Sequence, residues 1–384
     1  MLFLEQNPSP GAKDGHNDDG WLNRSENVID THLTAVAGGG TAGTREARIV
    51  KALLCPDYGG IDTVRLAELP DPVPSETEAL IEVDGAGMNY ADLLALEGKY
   101  QASPRPPFVP GAEVFGRVVA AGAAVTRCRV GDVVMGQVVS GAYAERAVVD
   151  PLQMVRVPCP MPAADGAAFF INYGTAYSAL FQRGGARRGE TLLVLGAGGG
   201  VGLAAVQIAR ACGLRVIAAC RGEAKQKLAR DGGAEVVLDH SAPGFVEAVK
   251  EATGNRGCDL VLDMIGGAAS AAALKCIAWC GRIIVIGFAG GPPFAFPANH
   301  LLVKNCAVIG HWWGDYHIRD TRQLDEAFAR LFSLYADGLL RPHVEECLTI
   351  DEVTSGLERY ASGTVLGKLV MLNPTAVHRK EQDR

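Results

Sequence analysis

The chain has 384 residues, of which 48% are hydrophobic and 21% are charged, and its formal net charge is −7 at pH 7. Its length predicts two domains, its composition is that of a soluble globular protein, and its negative charge argues against nucleic acid as the main partner. No apolar run is long enough to span a bilayer, and ten scattered cysteines without a paired framework favour a reducing compartment, so we expect a cytoplasmic protein that does not enter a membrane.

The composition and the hydrophobic pattern of the chain change near Ile49. Residues 1–47 are rich in Gly, Asn, Asp and Ser and lack a sustained apolar period, which predicts a disordered extension. Short strands separated by Gly, Pro and Asp follow, and their spacing predicts a small antiparallel barrel. The predicted strands are 50–54, 79–83, 114–120, 133–139 and 143–149. A helix at 91–96 and the proline-rich loop ASPRPPFVPG interrupt them, and this stiff loop suits the wall of a pocket.

The stretch 191–213, TLLVLGAGGGVGLAAVQIARACG, predicts a buried strand, a glycine turn and a helix in direct succession. Its glycines leave few Cβ atoms in the turn, so backbone N–H groups at the helix start can approach a pyrophosphate. Strands and helices then alternate, which predicts a doubly wound parallel sheet. The further strands are 215–219, 235–238, 260–263, 282–287 and 307–311, and the helices are 223–230, 244–253 and 268–279. Cys276 and Cys280 have helical spacing and are interpreted as core residues.

The remainder of the chain is too short for a further domain. A helix is predicted at 325–335, and the segment 348–372 predicts one more helix and a final strand that return to the barrel.

The end of the second strand of the parallel sheet indicates the cofactor. An acidic side chain there binds a ribose diol, whereas a basic one accommodates a 2′-phosphate. Here the strand ends in Cys220, Arg221 and Gly222, and Lys225 follows one helical turn later. Glu223 is an alternative diol ligand, but a carboxylate at a helix start also complements the helix dipole. We favour NADPH over NADH.

Motifs spread over 51–372 make the chain similar to the zinc-independent, zeta-crystallin-like NADPH:quinone oxidoreductase family of the medium-chain dehydrogenase/reductase superfamily. They are GMNYADLL from Gly87, PFVPGAEVFGRV from Pro107, GDVV from Gly131, AGGGVG from Ala197, VLDMIGG from Val261, GRIIVIGF from Gly281, PANHLLVKN from Pro297 and GKLVM from Gly367.

The resemblance implies an α/β fold with a GroES-like β-barrel catalytic domain, 48–169 completed by 313–384, and a Rossmann domain, 170–312, that binds NADPH. The catalytic-zinc ligands of related dehydrogenases align with Asn89, Ala112 and approximately Ile171, which are not zinc ligands of the usual kind. His311, His317 and His343 are scattered and are interpreted as surface or core residues. We therefore expect no metal.

The resemblance also assigns site residues. Tyr100 and Asn89 match residues near the nicotinamide and the substrate oxygen and are the predicted catalytic pair, although Asn89 alternatively caps the helix after it. Tyr90 and Tyr177 are interpreted as core aromatics. The predicted cofactor-binding residues are Thr175, Ala197, Gly198, Gly199, Gly200, Val201, Gly202, Arg221, Lys225, His240, Gly287 and Phe288. The family commonly has Gly-Ser at 221–222 and a tyrosine at 240, so Arg221 would have to replace the missing donors.

The expected function is NADPH-dependent hydride transfer to a quinone, or alternatively to the alkene of an enone or enoyl thioester. Two other readings stay open, a non-catalytic NADPH-binding protein and a zinc alcohol dehydrogenase. The resemblance implies a homodimer, which the apolar edge strand 307–311 is suited to form.

Overall fold

The computed structural model describes residues 48–374. Seven strands lie in the first part of the chain: β1 (Ile49–Leu54), β2 (Arg65–Pro70), β3 (Ala79–Gly87), β4 (Glu113–Ala121), β5 (Val133–Gln137), β6 (Arg146–Val149) and β7 (Met154–Arg156). β1 and β2 pair as an antiparallel hairpin. All five strands predicted here are present with shifted ends, whereas the sequence analysis missed β2 and β7.

The barrel sheet is completed from the far end of the chain. β14 (Val344–Leu348) and β15 (Lys368–Leu372) give the strand order β14-β15-β3-β4-β5-β7, with β6 also paired to β3. The predicted return of the C-terminal segment is therefore confirmed. Gly116 permits the close β3–β4 pairing, because a Cβ atom there would lie 2.1 Å from the carbonyl oxygen of Glu82.

The middle of the chain forms a second, fully parallel sheet. Its strands have the order β10-β9-β8-β11-β12-β13, which is the order 3-2-1-4-5-6 of a dinucleotide-binding fold. They are β8 (Thr191–Leu195), β9 (Arg215–Ala219), β10 (Val236–Leu238), β11 (Cys258–Asp263), β12 (Ile277–Val285) and β13 (Ala307–Gly310). Every residue of β8 is buried, as expected for a central strand covered by helices on both faces.

Helices cover the sheet and connect it to the barrel. They are α1 (Tyr90–Leu96), α2 (Ala163–Ala167), α3 (Phe170–Tyr177), α4 (Gly200–Ala211), α5 (Glu223–Asp231), α6 (Phe245–Ala252), α7 (Gly267–Cys276), α8 (Ala298–Lys304), α9 (Trp313–Arg319), α10 (Thr321–Ala336) and α11 (Val353–Ala361). A π-helical turn, Ser178–Arg183, extends α3. Stacked rings of Phe170 and Phe328, 4.8 Å apart, join α3 to α10.

Two helix boundaries in the sequence analysis are wrong. The helix predicted at 325–335 begins at Thr321. The helix predicted at 268–279 ends at Cys276, and β12 begins at the next residue. Cys276 is buried, but Cys280 is exposed and has a positive φ of 59°, so the interpretation of both cysteines as core residues fails for Cys280. The apolar run 276–279 fits a buried strand as well as a helix, and periodicity does not separate the two.

The predicted disordered extension, 1–47, lies outside the described residues, and the domain boundaries at 48, 170 and 313 remain predictions. Across 48–374, no helix combines the length and apolar character needed to cross a membrane.

Candidate active site

A cavity of about 1200 Å³ lies where the two sheets meet. The glycine turn after β8 lies along part of it, and the proline-rich loop supplies Pro104, Phe108 and Pro110 to its wall, as the sequence analysis expected. Such a largely apolar cleft with a few convergent polar groups is the usual form of a small-molecule site.

The glycine turn brings backbone close to the cavity. A Cβ atom at Gly202 would lie 2.2 Å from the carbonyl oxygen of Gly196, so glycine is needed there for α4 to pack on the turn. At Gly199 a Cβ atom would have no neighbour closer than 3.7 Å, and this residue lies on the cavity wall. The start of α4 therefore presents unobstructed backbone to the cavity, the arrangement that suits a phosphate group.

Three basic side chains lie at the cavity wall beyond β9. Arg221 is exposed, whereas Lys225 and His240 are half-buried. Burial and the neighbouring Arg221 lower the pKa of Lys225, and the same two causes lower the pKa of His240. The Lys225 ammonium donates a hydrogen bond to the carbonyl oxygen of Gly363 at 2.6 Å. Arg221 is thus the basic group least engaged with the protein at this end.

A buried charged network lies below the middle of the cavity. Lys368 Nζ donates to Glu113 Oε2 at 2.7 Å and to Asn89 Oδ1 at 2.6 Å. The Glu113 and Lys368 side chains are 0% and 3% exposed. Asn89 Nδ2 donates to Gly87 O and Glu113 Oε2, and Ile171 N donates to Glu113 Oε1. The amide group of Asn89 is therefore fully engaged in holding this network.

A titratable carboxyl group lies next to this network. Asp92 is buried in α1 and accepts hydrogen bonds from Tyr143 Oη at 2.6 Å and from Asn89 N at 2.7 Å. Burial raises the pKa of Asp92 to about 6, against the lowering effect of these two donors. Its neutral form is therefore favoured more than that of a solvated aspartate.

Aromatic residues form the other end of the cavity. Trp312 Nε1 donates to Tyr100 Oη at 3.1 Å, and the two rings are nearly perpendicular, with centroids 6.5 Å apart. Burial raises the pKa of Tyr100, while the hydrogen bond from Trp312 lowers it. The phenol is therefore protonated at neutral pH.

His311 lies beside this aromatic end and also lines the cavity. It is 5% exposed, and neither ring nitrogen has a hydrogen-bond partner among the described residues. Burial, with a further contribution from Arg183, lowers the pKa of His311 to about 4. Of the two alternatives for His311, a surface or a core residue, the structure shows the core. His311 is also part of the cavity wall.

The structure places nearly all predicted site residues around this one cavity, the exceptions being Ala197 and Gly202, which are buried in the turn behind it. Tyr90 is 41% exposed and lines the cavity, so its interpretation as a core aromatic is wrong. Tyr177 is partly buried and packs against Phe181 at 5.1 Å. The roles assigned to the site residues remain predictions.

The sequence analysis missed four residues of this region, namely Glu113, Lys368, His311 and Trp312. Glu113 and Lys368 stand inside motifs that were recognised, but they are 255 residues apart, and no local pattern pairs them. His311 and Trp312 follow the edge strand β13, where a single histidine or aromatic residue carries no signal of its own.

Two of the three positions aligned with catalytic-zinc ligands, Asn89 and Ile171, are part of the buried network. Asn89 and the backbone of Ile171 both bond to Glu113, and Lys368 places a positive charge there. Within residues 48–374 no group of three or more His, Cys, Asp and Glu side chains is arranged to hold a metal ion.

Comparisons with known proteins agree with this architecture. The model for the alcohol dehydrogenase GroES-like domain matches residues 75–159, and the model described as zinc-binding dehydrogenase matches residues 200–330. The chain is 35% identical over 298 residues to the quinone oxidoreductase-like protein 2 homolog of Nematostella vectensis. The aligned part is 77% of this chain and 81% of that protein.

Solved structures show the same fold. A probable oxidoreductase from Mycobacterium abscessus has a TM-score of 0.78 and 34% identity, over 85% of this chain and all of that one. The Escherichia coli quinone oxidoreductase crystallised with NADPH has a TM-score of 0.78 and 26% identity, over 84% of this chain and all of that one. The predicted GroES-like and Rossmann architecture is thereby confirmed, and the chain is an oxidoreductase that belongs to the quinone oxidoreductase family of medium-chain dehydrogenases/reductases.

Proposed function

We propose that this protein catalyses the NADPH-dependent reduction of a quinone or a similar conjugated carbonyl compound. The observation that carries the proposal is one cavity that joins an unobstructed glycine turn to a protonated, partly buried tyrosine. The quinone oxidoreductase relatives, one of them crystallised with NADPH, support it.

The residues present fit the cofactor. The turn leaves room at Gly199, where a Cβ atom would have no neighbour closer than 3.7 Å, so the start of α4 would hold the pyrophosphate. Arg221 would bind the 2′-phosphate, with Lys225 and His240 adding positive charge when protonated. Thr175, Val201, Gly287 and Phe288 would line the nicotinamide and ribose part of the site.

The protein's own groups position and protonate the acceptor. The chemistry that a bound NADPH supplies is hydride donation. Tyr100 donates its proton to the oxygen on which negative charge develops, the task that an oxyanion hole performs in other enzymes. Asn89 holds Lys368 and Glu113 in place, so we assign it a positioning role.

Two other functions use the same site. Reduction of the alkene of an enone or an enoyl thioester needs the same proton donor beside a carbonyl oxygen. A non-catalytic NADPH-binding protein needs the cofactor site but not Tyr100, whose placement in the cavity therefore favours an enzyme.

The direct experiment follows NADPH oxidation by absorbance with a panel of quinones, enones and enoyl-CoA esters. We expect turnover with at least one quinone and a loss of about 100-fold or more in kcat for Tyr100→Phe, as is usual when a general acid is removed. NADPH binding without oxidation of any kind would support the non-catalytic alternative. Turnover with enoyl-CoA esters alone would favour the alkene reductase.

Cofactor preference tests the basic cluster separately. Arg221→Ala should raise the KM for NADPH about tenfold or more and leave the KM for NADH nearly unchanged, because only NADPH carries the 2′-phosphate. Arg230→Ala, a charge change on the exposed end of α5, is the matched control. A wild-type preference for NADH would contradict the assignment of Arg221.

We also propose a homodimer that forms through β13, the edge strand of the parallel sheet. Three large apolar residues, Trp279, Leu302 and Val303, are 66–76% exposed on β12 and α8. α8 leads directly into β13, and β13 pairs only with β12 within the described chain. The ten cysteines all lie within the described residues and form no disulfide there, which supports a cytoplasmic or similarly reducing location.

A further inference from the structure

Trp312 and Tyr100 form a contact between two distant parts of the chain. Tyr100 lies just after α1 on the barrel side, and Trp312 lies between β13 and α9, 212 residues later. The bond from Trp312 Nε1 to Tyr100 Oη is 3.1 Å long, and the interplanar angle of 82° places the indole edge against the phenol. Both side chains line the cavity.

The direction of this hydrogen bond is fixed by chemistry. An indole N–H donates and never accepts, so the phenol oxygen of Tyr100 must be the acceptor. The proton of the phenol therefore points away from Trp312. No acceptor for that proton is present among residues 48–374, which leaves it available to a ligand in the cavity.

The same bond affects the anion that proton donation leaves behind. Tyr100 is partly buried, and this burial disfavours its phenolate. An N–H donor that stays in place as the phenolate forms makes a charge-assisted hydrogen bond, which is about twice as strong as a neutral one. Trp312 thus favours the donor orientation before proton transfer and the phenolate after it.

We propose that Trp312 is a positioning residue for reduction, which directs the Tyr100 proton to the acceptor oxygen and stabilises the resulting phenolate. This inference rests on the proposed function. The acceptor gains a hydride at carbon and a proton at oxygen. The Tyr100 O–H bond breaks as the new O–H bond forms, its electron pair stays on the phenolate, and solvent water reprotonates the phenolate afterwards.

A double-mutant cycle tests the proposal, with Trp312→Phe, Tyr100→Phe and the double variant assayed for NADPH oxidation with a quinone. Trp312→Phe keeps an aromatic ring and removes the N–H. We expect kcat to fall about 10- to 100-fold, the effect of losing a hydrogen bond to a developing charge, with little change in the KM for NADPH. In the Tyr100→Phe background the same change should have no further effect on kcat.

The solvent deuterium isotope effect on kcat provides a second readout. This isotope effect should be larger for Trp312→Phe than for the wild type, because proton donation becomes slower. Val130→Ala, at a residue that is 65% exposed between β4 and β5, should leave kcat unchanged. If Trp312→Phe does not fold, Trp312→Met replaces it in the cycle, since it also lacks the donor.

Equal losses of kcat in both backgrounds, or no loss in either, would overturn the positioning role while leaving the proposed function intact. A wild-type protein that oxidises NADPH with no acceptor of the panel would instead refute the proposed function, and the role of Trp312 with it.

Discussion

At the scale of single residues, Lys368 and Glu113 place two opposite charges where water hardly reaches them. Their side chains are 3% and 0% exposed, and Asn89 and the Ile171 backbone satisfy the remaining atoms of Glu113. A buried pair of this kind contributes little net stability compared with apolar residues, but the loss of one partner leaves an uncompensated charge. The network therefore fixes how β15 joins the barrel below the cavity.

Lys368→Met should lower the free energy of unfolding by about 3–5 kcal/mol, because the Glu113 carboxylate stays buried without its cation. Chemical denaturation measures the change. The double variant Lys368→Met/Glu113→Gln should recover part of the loss, since a neutral amide still accepts from Ile171 N. Lys99→Met removes an exposed pair with Glu97 and should change stability little. A Lys368→Met protein as stable as the wild type would contradict the charged, buried state of the pair.

His311 predicts an acid sensitivity of the fold. Burial and Arg183 lower its pKa from 6.5 to about 4 in the folded protein. The unfolded chain therefore binds a proton at pH values where the folded protein does not, so stability is complete above about pH 6.5 and is lost as pH falls towards 4. His317, buried with its pKa also lowered to about 4, acts in the same direction.

His311→Phe should remove one of these two contributions. The variant should gain stability relative to the wild type as pH falls from 6.5 to about 4, which thermal melts across this range measure. Asp92, with its pKa raised to about 6, acts oppositely and is most stabilising in acid, but it is present in both proteins, so the comparison removes its effect. A constant difference in stability at all pH values would show that His311 does not titrate as described.

At the scale of elements, two glycines where β8 leads into α4 are needed for different reasons, one for packing and the other for cofactor binding. Gly202→Ala should destabilise the protein by about 1–3 kcal/mol, because its Cβ atom would meet the Gly196 carbonyl oxygen at 2.2 Å. Gly199 has an ordinary φ of −92°, and an added Cβ atom would make only an ordinary contact there, 3.7 Å from the Gly196 carbonyl oxygen. Gly199→Ala should therefore preserve stability but weaken NADPH binding several-fold, since the added methyl group lies where the phosphates would approach. Calorimetry and NADPH titration distinguish the two, and equal effects of both variants on stability would contradict this division.

Elements whose signal is local could be predicted from sequence. The apolar run of β8, followed by glycines and an apolar helix, predicted the strand, turn and helix as they occur. The boundary between α7 and β12 was wrong because four apolar residues suit either structure, and only the pairing of β11 with β12 decides it. β7 has three residues and no alternation long enough to detect.

The candidate site shows the same limit. Arg221 and Gly199 could be placed at a cavity because their position after a strand has a fixed meaning in a parallel sheet. Lys368 and Trp312 could not, since each acts through a residue more than 200 positions away in the chain. Such contacts arise only when the whole chain folds.

At the scale of the whole molecule, the C-terminal segment connects the two sheets. Gly367 N donates to the carbonyl oxygen of Gly198 at 3.1 Å, Lys225 bonds to Gly363, and Lys368 reaches the network around Asn89. One short segment thus contacts the glycine turn, the basic cluster and the middle of the cavity. This segment therefore joins the parallel sheet to the barrel beside the cavity.

The proposed dimer predicts how the molecule assembles. The wild type should have a mass in solution near twice the 40.4 kDa of the chain, measured by light scattering after size-exclusion chromatography. Leu302→Glu/Val303→Glu, at residues 76% and 71% exposed, should shift it to monomer, because burying two carboxylates in an apolar interface is costly. Leu339→Glu, 53% exposed after α10, should leave the dimer intact. The exposed side chains of α8 lie directly before β13, whose one side pairs with β12 and whose other side is unpaired in the described parallel sheet. A dimer through this edge would therefore bury them. A monomeric wild type, or a dimer that survives the double variant, would exclude this face.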